Sequence, residues 1–216
     1  MPKVPKVKVK ICGITNWTDA RRAVEAGASY LGFNFYPPSP RYIKPAAARR
    51  IVRRLPNRIS VVGVFVNETE QNMLSTARKV GLDYLQLHGD ESPESIGRLK
   101  RKVPVIKAIR VRDTFRSTQL ASYNRASALL LDGFDRKQYG GTGKSFNWKL
   151  ARGANRGTRI FLAGGLTPEN VAAAIRTTNP YAVDVCSGVE ARPGRKDPGR
   201  LIALMWAVKS AERKPR

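Results

Sequence analysis

A cysteine at the end of an alternating N-terminal segment is the first residue whose type and position could do chemistry. Residues 7–11 alternate in the manner of a β-strand and then reach Cys12 and Gly13. Lys10 and Cys12 are two residues apart, so they share one face of that strand. A neighbouring ammonium favours the thiolate form of a cysteine. Cys12 is therefore a candidate base or nucleophile.

Three further ionisable residues follow or interrupt apolar runs. Asp132 closes a run of leucines, where partial burial suits a carboxylic acid to donating a proton. His88, the single histidine, ends a second run and shares a face with Gln86. Asp184 lies inside an apolar strand and needs hydrogen-bonding partners there. Structural and catalytic roles both stay open for His88 and Asp184.

Other segments could bind an anion. Arg41 follows a proline-rich turn, and its guanidinium could hold a carboxylate through two hydrogen bonds, although a plain surface arginine is the alternative. Two glycine-containing loops could turn backbone N–H groups toward a phosphate. Their residues are Gly164 and Gly165 in one, and Ser187 and Gly188 in the other.

A third glycine-rich segment, at residues 140–145, superficially suggests a nucleotide-binding P-loop. That motif requires a glycine where this chain has Gln138. We therefore predict a loop over the active site at 133–146 instead.

The elements that must position these residues alternate along the chain. Eight apolar, strand-like runs are each followed by a helix-like segment. The runs lie near residues 7–12, 30–35, 60–66, 83–87, 104–109, 128–132, 159–163 and 181–186. This alternation predicts an α/β fold with a parallel sheet, and eight units favour a closed (β/α)8 TIM barrel. Functional side chains then belong on the loops that follow the strands.

Helix boundaries are indicated by capping residues. Ser92, Thr167 and Asp197 each stand before a proline, a pattern typical of a helix start. Gly27 and Gly81 stand where helices should end. No linker interrupts the chain, so we predict one domain over 1–216 with short basic termini at 1–6 and 213–216.

Composition limits the class of protein. Two cysteines and one histidine in 216 residues support neither a disulfide framework nor a zinc site, so no metal is expected. The chain has no apolar run of the ~20 residues that a membrane span needs, and no signal-peptide pattern. We expect a cytoplasmic protein with no membrane partner.

The charge balance is unusually basic. The chain has 40 Lys and Arg residues and 16 Asp and Glu residues, which gives a net charge of +24. The net charge of a small domain is usually about 2–8 in magnitude. Such a field attracts polyanions and speeds encounter with an anionic substrate. Because the cations are dispersed over helix-like segments, we favour a basic enzyme surface with non-specific nucleic-acid binding over a dedicated site. A monomer and a homodimer both stay open.

Taken in order, these motifs resemble those of the phosphoribosylanthranilate isomerase family. The resemblance covers nearly the whole chain, and the ordered set is specific although each motif alone is weak. The matching segments are 10–15, 32–33, 39–43, 62–67, 86–89, 131–132, 140–144 with Phe146 and Trp148, 163–166 with Pro168, Asn170 and Val171, 183–185, 187–190, 193–194 and 196–197.

The resemblance implies an isomerase of tryptophan biosynthesis that performs an Amadori rearrangement on a (β/α)8 barrel without cofactor or metal. Its substrate is N-(5-phosphoribosyl)anthranilate, and its product is 1-(2-carboxyphenylamino)-1-deoxyribulose 5-phosphate. Asp132 is then the general acid and Cys12 the general base. The implied substrate-binding residues are Lys10, Arg41, His88 and Asp184, and the implied phosphate-binding residues are Gly164, Gly165, Ser187 and Gly188.

Two alternatives stay open. Another phosphosugar isomerase barrel, such as the related isomerase of histidine biosynthesis, has the same fold, but that family carries an acid where this chain has Cys12. A barrel repurposed for polyanion binding rests on the net charge alone.

The chain departs from the family pattern at one position. The resemblance implies a small polar residue at 186, where this chain has Cys186. Strands one and eight are neighbours in a closed barrel, so Cys12 and Cys186 are expected to meet. We predict that the two thiols pair under non-reducing conditions and block catalysis.

Overall fold

The computed structural model describes residues 7–112, 114–133, 147–151, 154 and 157–212. Eight parallel strands follow one another in chain order around a closed barrel, and the eighth pairs with the first. The predicted single-domain (β/α)8 barrel is confirmed. The predicted basic termini at 1–6 and 213–216 lie outside the described residues, as does the predicted active-site loop beyond Gly133, at 134–146.

The barrel strands match the eight predicted runs to within about two residues at each end. They are β1 (Lys8–Ile11), β2 (Tyr30–Asn34), β3 (Ser60–Phe65), β4 (Tyr84–Leu87), β5 (Val105–Val111), β6 (Ala128–Gly133), β7 (Ile160–Leu162) and β8 (Ala182–Val185). A short antiparallel hairpin follows as β9 (Glu190–Arg192) and β10 (Arg195–Lys196).

Six α-helices and three 3₁₀ helices are described. The α-helices are α1 (Trp17–Ala26), α2 (Pro45–Val52), α3 (Glu70–Val80), α4 (Pro93–Lys100), α5 (Val171–Thr178) and α6 (Pro198–Ala211). The 3₁₀ helices cover Ser117–Tyr123, Trp148–Ala151 and Ser187–Val189. Across the described residues, not one helix combines the length and the apolar composition that a membrane crossing needs.

Capping explains where the helices begin. The side chains of Ser92 and Asp197 accept hydrogen bonds from the first turns of α4 and α6, as predicted. The prediction at Thr167 was wrong, because α5 begins at Val171. There the Asn170 side chain accepts from the Thr167 N–H and closes a separate turn before the helix.

In the described parts of the segments after β5 and β6, 3₁₀ helices are found where α-helices were expected. The helix Ser117–Tyr123 buries a single residue, Leu120, and the helix Trp148–Ala151 buries only Ala151. A segment that buries so little apolar surface gains too little from packing to hold a longer helix.

The barrel interior is closed at one end and open at the other. At the amino ends of the strands, the ring of Tyr30 packs edge-on against Phe161 with centroids 5.3 Å apart. The Tyr30 hydroxyl also lies 3.0 Å from the hydroxyl of Tyr181. These aromatic rings fill the floor, so only the carboxyl ends of the strands leave room for a ligand.

Candidate active site

A cavity at the carboxyl ends of the strands gathers most of the predicted site residues. The empty space within it, including the open mouth, is about 670 Å³. The predicted residues that line it are Cys12, Arg41, His88, Asp132, Gly164, Gly165, Asp184 and Ser187. Of the other two, Lys10 is completely buried, and Gly188 packs against the loop that follows β7.

An ion pair between the first and the last barrel strand lies next to the predicted base. The register of β1 on β8 sets Lys10 opposite Asp184. The Lys10 ammonium donates to Asp184 Oδ2 at 2.8 Å, with both side chains buried. Although burial opposes it, the charge of Asp184 raises the pKa of Lys10 above its usual value, so the ammonium keeps its proton.

The surroundings of Cys12 favour its thiolate. A hydrogen bond with the Cys186 thiol, together with the charges of Lys10 and Lys196, lowers the pKa of Cys12 well below its usual value despite burial. A thiolate at the end of a strand, facing a cavity, can abstract a proton from a bound ligand.

Gly32 on β2 leaves the space that this arrangement needs. A Cβ atom at Gly32 would lie 2.8 Å from Cys12 Sγ and 3.1 Å from Lys10 Nζ. A strand glycine of this kind marks a close approach of other groups. The glycine in the family motif at 32–33 therefore has a physical reason in this structure.

Asp132 lies at the end of β6 in a chain of three buried polar side chains. Asp132 Oδ2 is 3.2 Å from His88 Nε2, and its Oδ1 accepts from the Gly133 N–H at 2.8 Å. The other nitrogen of His88 is 2.9 Å from the Gln86 amide nitrogen. These contacts fix the carboxyl group toward the cavity, where it can exchange a proton with a ligand.

Two buried acceptor atoms at the cavity have no partner among the described residues. They are Gln86 Oε1 and Asp184 Oδ1. Burial also raises the pKa of Asp184 to about 7, against the pull of Lys10. A buried acceptor without a donor is costly, and a ligand rich in hydroxyl groups would satisfy both atoms.

Arg41 reaches the cavity with much of its guanidinium already engaged. Its Nε and Nη2 donate to the carboxylate of Glu190 at 3.0 and 2.8 Å. Glu190 also accepts from Lys196 Nζ at 2.9 Å. The sequence did not predict Glu190 and Lys196 as site residues, and the β9–β10 hairpin brings both to the site. The turn at 193–194 between two charged positions was the only available indication of that hairpin.

The two predicted phosphate loops pack closely together. Gly164 and Gly165 have φ angles of +84° and +62°, which favour glycine. A Cβ atom at Gly164 would lie 2.6 Å from the Gly133 nitrogen, and one at Gly188 would collide with the Leu166 carbonyl. Gly188 therefore lets the loops after β7 and β8 approach each other, while Gly164, Gly165 and Ser187 face the cavity.

A further buried ion pair, also not predicted from the sequence, supports the turn that carries His88. Lys107 Nζ donates to Glu91 Oε2 and to the Gly89 carbonyl, each at 2.7 Å. Glu91 in turn accepts from the Gly89 N–H. The turn after β4 is thereby held from the side of β5. In the part of the chain that is described, no group of three His, Cys, Asp or Glu residues is placed to hold a metal ion.

Comparison with known proteins agrees with this geometry. A family model described as N-(5'-phosphoribosyl)anthranilate (PRA) isomerase matches residues 9–207. The N-(5'-phosphoribosyl)anthranilate isomerase of Trichlorobacter lovleyi is 52% identical over 206 residues, which are 95% of this chain and 99% of that protein. The similarity thus extends over the whole barrel.

Solved structures give the same result. The crystal structure of phosphoribosyl anthranilate isomerase from Thermotoga maritima superimposes with a TM-score of 0.88 at 42% identity, covering 94% of this chain and 99% of that one. A second structure with the same identity and coverage and a TM-score of 0.85 is a phosphoribosyl anthranilate isomerase in complex with reduced 1-(o-carboxyphenylamino)-1-deoxyribulose 5-phosphate.

Proposed function

The chain belongs to the N-(5'-phosphoribosyl)anthranilate isomerase family, and we propose that Cys12 and Asp132 are the base and the acid of its reaction. The protein is an isomerase of tryptophan biosynthesis that acts on N-(5'-phosphoribosyl)anthranilate. Its product is 1-(2-carboxyphenylamino)-1-deoxyribulose 5-phosphate.

The rearrangement needs one proton donated and one removed. Asp132 protonates the ribose ring oxygen, so the bond from that oxygen to C1 breaks and a Schiff base forms between C1 and the anthranilate nitrogen. The Cys12 thiolate then removes the proton from C2, and the resulting enolamine tautomerises to the ketose. Each step moves a proton between a side chain at the cavity and the sugar.

One observation carries this assignment. The Cys12 thiol and the Asp132 carboxyl face the same cavity, beside the two unpartnered acceptors Gln86 Oε1 and Asp184 Oδ1. The ribose chain presents hydroxyl donors on C2, which reacts, and on the carbons that follow it. Binding the sugar would therefore satisfy the acceptors while holding C1 and C2 between acid and base.

The two negative groups of the substrate are bound at separate places in this proposal. The backbone of Gly164, Gly165 and Ser187 holds the phosphate, with Gly188 allowing the two loops to meet. Arg41, oriented by Glu190, holds the anthranilate carboxylate with its remaining N–H donors. Lys10 holds Asp184 and favours the Cys12 thiolate from below the cavity.

The setting of the enzyme follows from its pathway and charge. We place it in the cytoplasm, where amino acids are synthesised and thiols stay reduced. We further expect non-specific binding to nucleic acid that weakens steeply with salt, because the chain carries a net charge of +24.

Turnover measurements test the mechanism. The loss of anthranilate fluorescence from phosphoribosylanthranilate is followed with the parent, Cys12→Ser, Asp132→Asn and the surface control Glu25→Gln. We expect each site variant to lose about 10²–10⁴-fold in kcat, and the control to match the parent, because Glu25 is exposed in a surface pair. An inactive parent in a folded sample would contradict the activity. Near-parental rates in both site variants would contradict the mechanism alone.

A further inference from the structure

Two thiols lie side by side at the seam where the barrel closes. The register of β1 on β8 places Ile11 opposite Val185, and Cys12 and Cys186 are the next residues on each chain. The Cys12 N–H donates to the Val185 carbonyl at 2.9 Å, so the pairing continues up to the thiols. Neighbouring strands lie about 4.8 Å apart, within the Cα–Cα range of about 4.4–6.8 Å that disulfides use.

Both sulfurs are accessible from the cavity. Cys12 and Cys186 are free thiols, each partly exposed, and both line the same cavity. The two thiols are close enough that each shifts the pKa of the other. A small oxidant that enters the open mouth therefore meets both sulfurs together.

The two thiols differ in their charge state. The shared hydrogen bond lowers the pKa of Cys12 and, with burial, raises that of Cys186 well above its usual value. Lys10 faces Cys12, while Lys196 Nζ and Glu190 Oε1 each lie 3.9 Å from Cys186 Sγ. Cys12 is thus the nucleophilic thiolate, and Cys186 is a protonated thiol beside it.

We propose that Cys12 and Cys186 form a peroxide-sensitive dithiol whose oxidation switches the isomerase off. The Cys12 thiolate attacks one oxygen of hydrogen peroxide or an alkyl hydroperoxide. The O–O bond breaks, hydroxide or alkoxide leaves, and Cys12 becomes a sulfenic acid. Cys186 then attacks the Cys12 sulfur, which forms the S–S bond and releases the sulfenic oxygen as water. The peroxide takes up the two electrons that the two thiols lose.

The disulfide has two consequences. A Cys12 sulfur bonded to Cys186 has no negative charge and cannot accept the proton from C2 of the sugar, so turnover stops. The bond also protects Cys12 from further oxidation to the sulfinic acid, which thiol reductants do not reverse. The loss of activity rests on the proposed role of Cys12 as base, whereas formation of the disulfide does not.

Peroxide treatment of the full-length reduced protein tests the dithiol. Remaining thiols are blocked, and tryptic peptides are mapped by mass spectrometry; peptides 11–21 and 177–195 each carry one cysteine. We expect a cross-linked pair of these peptides, lighter by two hydrogens than their sum. It should form in step with the loss of activity and disappear with dithiothreitol. Separate peptides with Cys12 either intact or carried to the sulfinic acid would overturn the proposal.

Two single variants, followed by mass rather than activity, separate the roles of the thiols. In Cys186→Ser, the Cys12 sulfur should proceed to the sulfinic acid at peroxide doses that give a disulfide in the parent. In Cys12→Ser, Cys186 should stay unmodified at those doses. Equal oxidation of Cys186 with and without Cys12 would contradict the assignment of Cys12 as the attacking thiol.

The outcomes also separate this proposal from the proposed mechanism. A complete cross-link in a protein that keeps its full activity would contradict both the switch and Cys12 as the base. An active enzyme that never forms the cross-link would contradict the dithiol alone.

Discussion

His88 Nε2 and Asp132 Oδ2 lie 3.2 Å apart, although 44 positions separate the two residues in the chain. β4 and β6 deliver them from non-adjacent strands to the same side of the cavity. The Gln86 side chain holds the opposite edge of the imidazole ring. His88 therefore limits the orientations that the Asp132 carboxyl can adopt, and we expect it to act on the reaction through that carboxyl as a positioning residue.

His88→Gln should lower kcat about tenfold, less than the loss expected from removing the acid itself. KM should change little, because His88 touches Asp132 rather than the groups assigned to phosphate and carboxylate. Steady-state kinetics of the variant and the parent, with kcat and KM determined separately, checks this. A rise in KM at constant kcat would assign His88 to substrate binding instead.

Removing the buried ammonium should raise the pKa of Cys12. Lys10→Gln takes away a positive charge that favours the thiolate. The midpoint of the iodoacetamide alkylation rate against pH should therefore move upward. Lys8→Gln is the matched control, because Lys8 lies on the same strand with its side chain exposed. An unchanged midpoint in Lys10→Gln would show that Cys186 and Lys196, without Lys10, set the pKa of Cys12.

Glu190→Gln should destabilise the protein by about 3–5 kcal/mol, because it leaves the buried cations Arg41 and Lys196 without their shared carboxylate. Urea unfolding measures the effect. Glu70→Gln breaks the exposed pair with Arg98 and should cost no more than about 1 kcal/mol. Equal losses in the two variants would mean that the buried cluster contributes no more than a surface pair.

Raising the ionic strength should lower kcat/KM and leave kcat nearly constant. A chain with a net charge of +24 attracts an anionic substrate over distances that salt screens. Kinetics in increasing sodium chloride at constant pH checks this. A kcat/KM that stays flat would show that local contacts at the cavity, rather than the overall field, govern capture of the substrate.

The barrel could be predicted closely from the sequence, because its strands and helix ends are marked by residues that are close together in the chain. Each strand is a short apolar run, and Gly27 and Gly81 end α1 and α3 with positive φ angles, as their residue type suggests. The site residues on strand ends, such as Cys12 and Asp132, could be placed once the strands were counted. Thr167 shows the limit, because the competing side chain of Asn170 moved the start of the helix.

The missed residues depend on contacts between distant parts of the chain. Arg41 and Glu190 are 149 positions apart, and only the folded β9–β10 hairpin brings Lys196 to them. The sequence likewise gives no indication for Lys107 and Glu91, because only the folded barrel buries both side chains. Single-sequence periodicity contains no information about which charges will share a buried site.

The pairing of Lys10 with Asp184 joins residues 174 positions apart, so the two ends of the chain meet at the site. A ribosome must therefore release the chain through β8 before the Lys10 ammonium can meet Asp184. Contacts of such sequence separation form at a high cost in loop entropy and slow the folding of a domain. Activity therefore requires that β1 has paired with β8 and closed the barrel. The time at which turnover first appears during refolding would measure when this pairing forms.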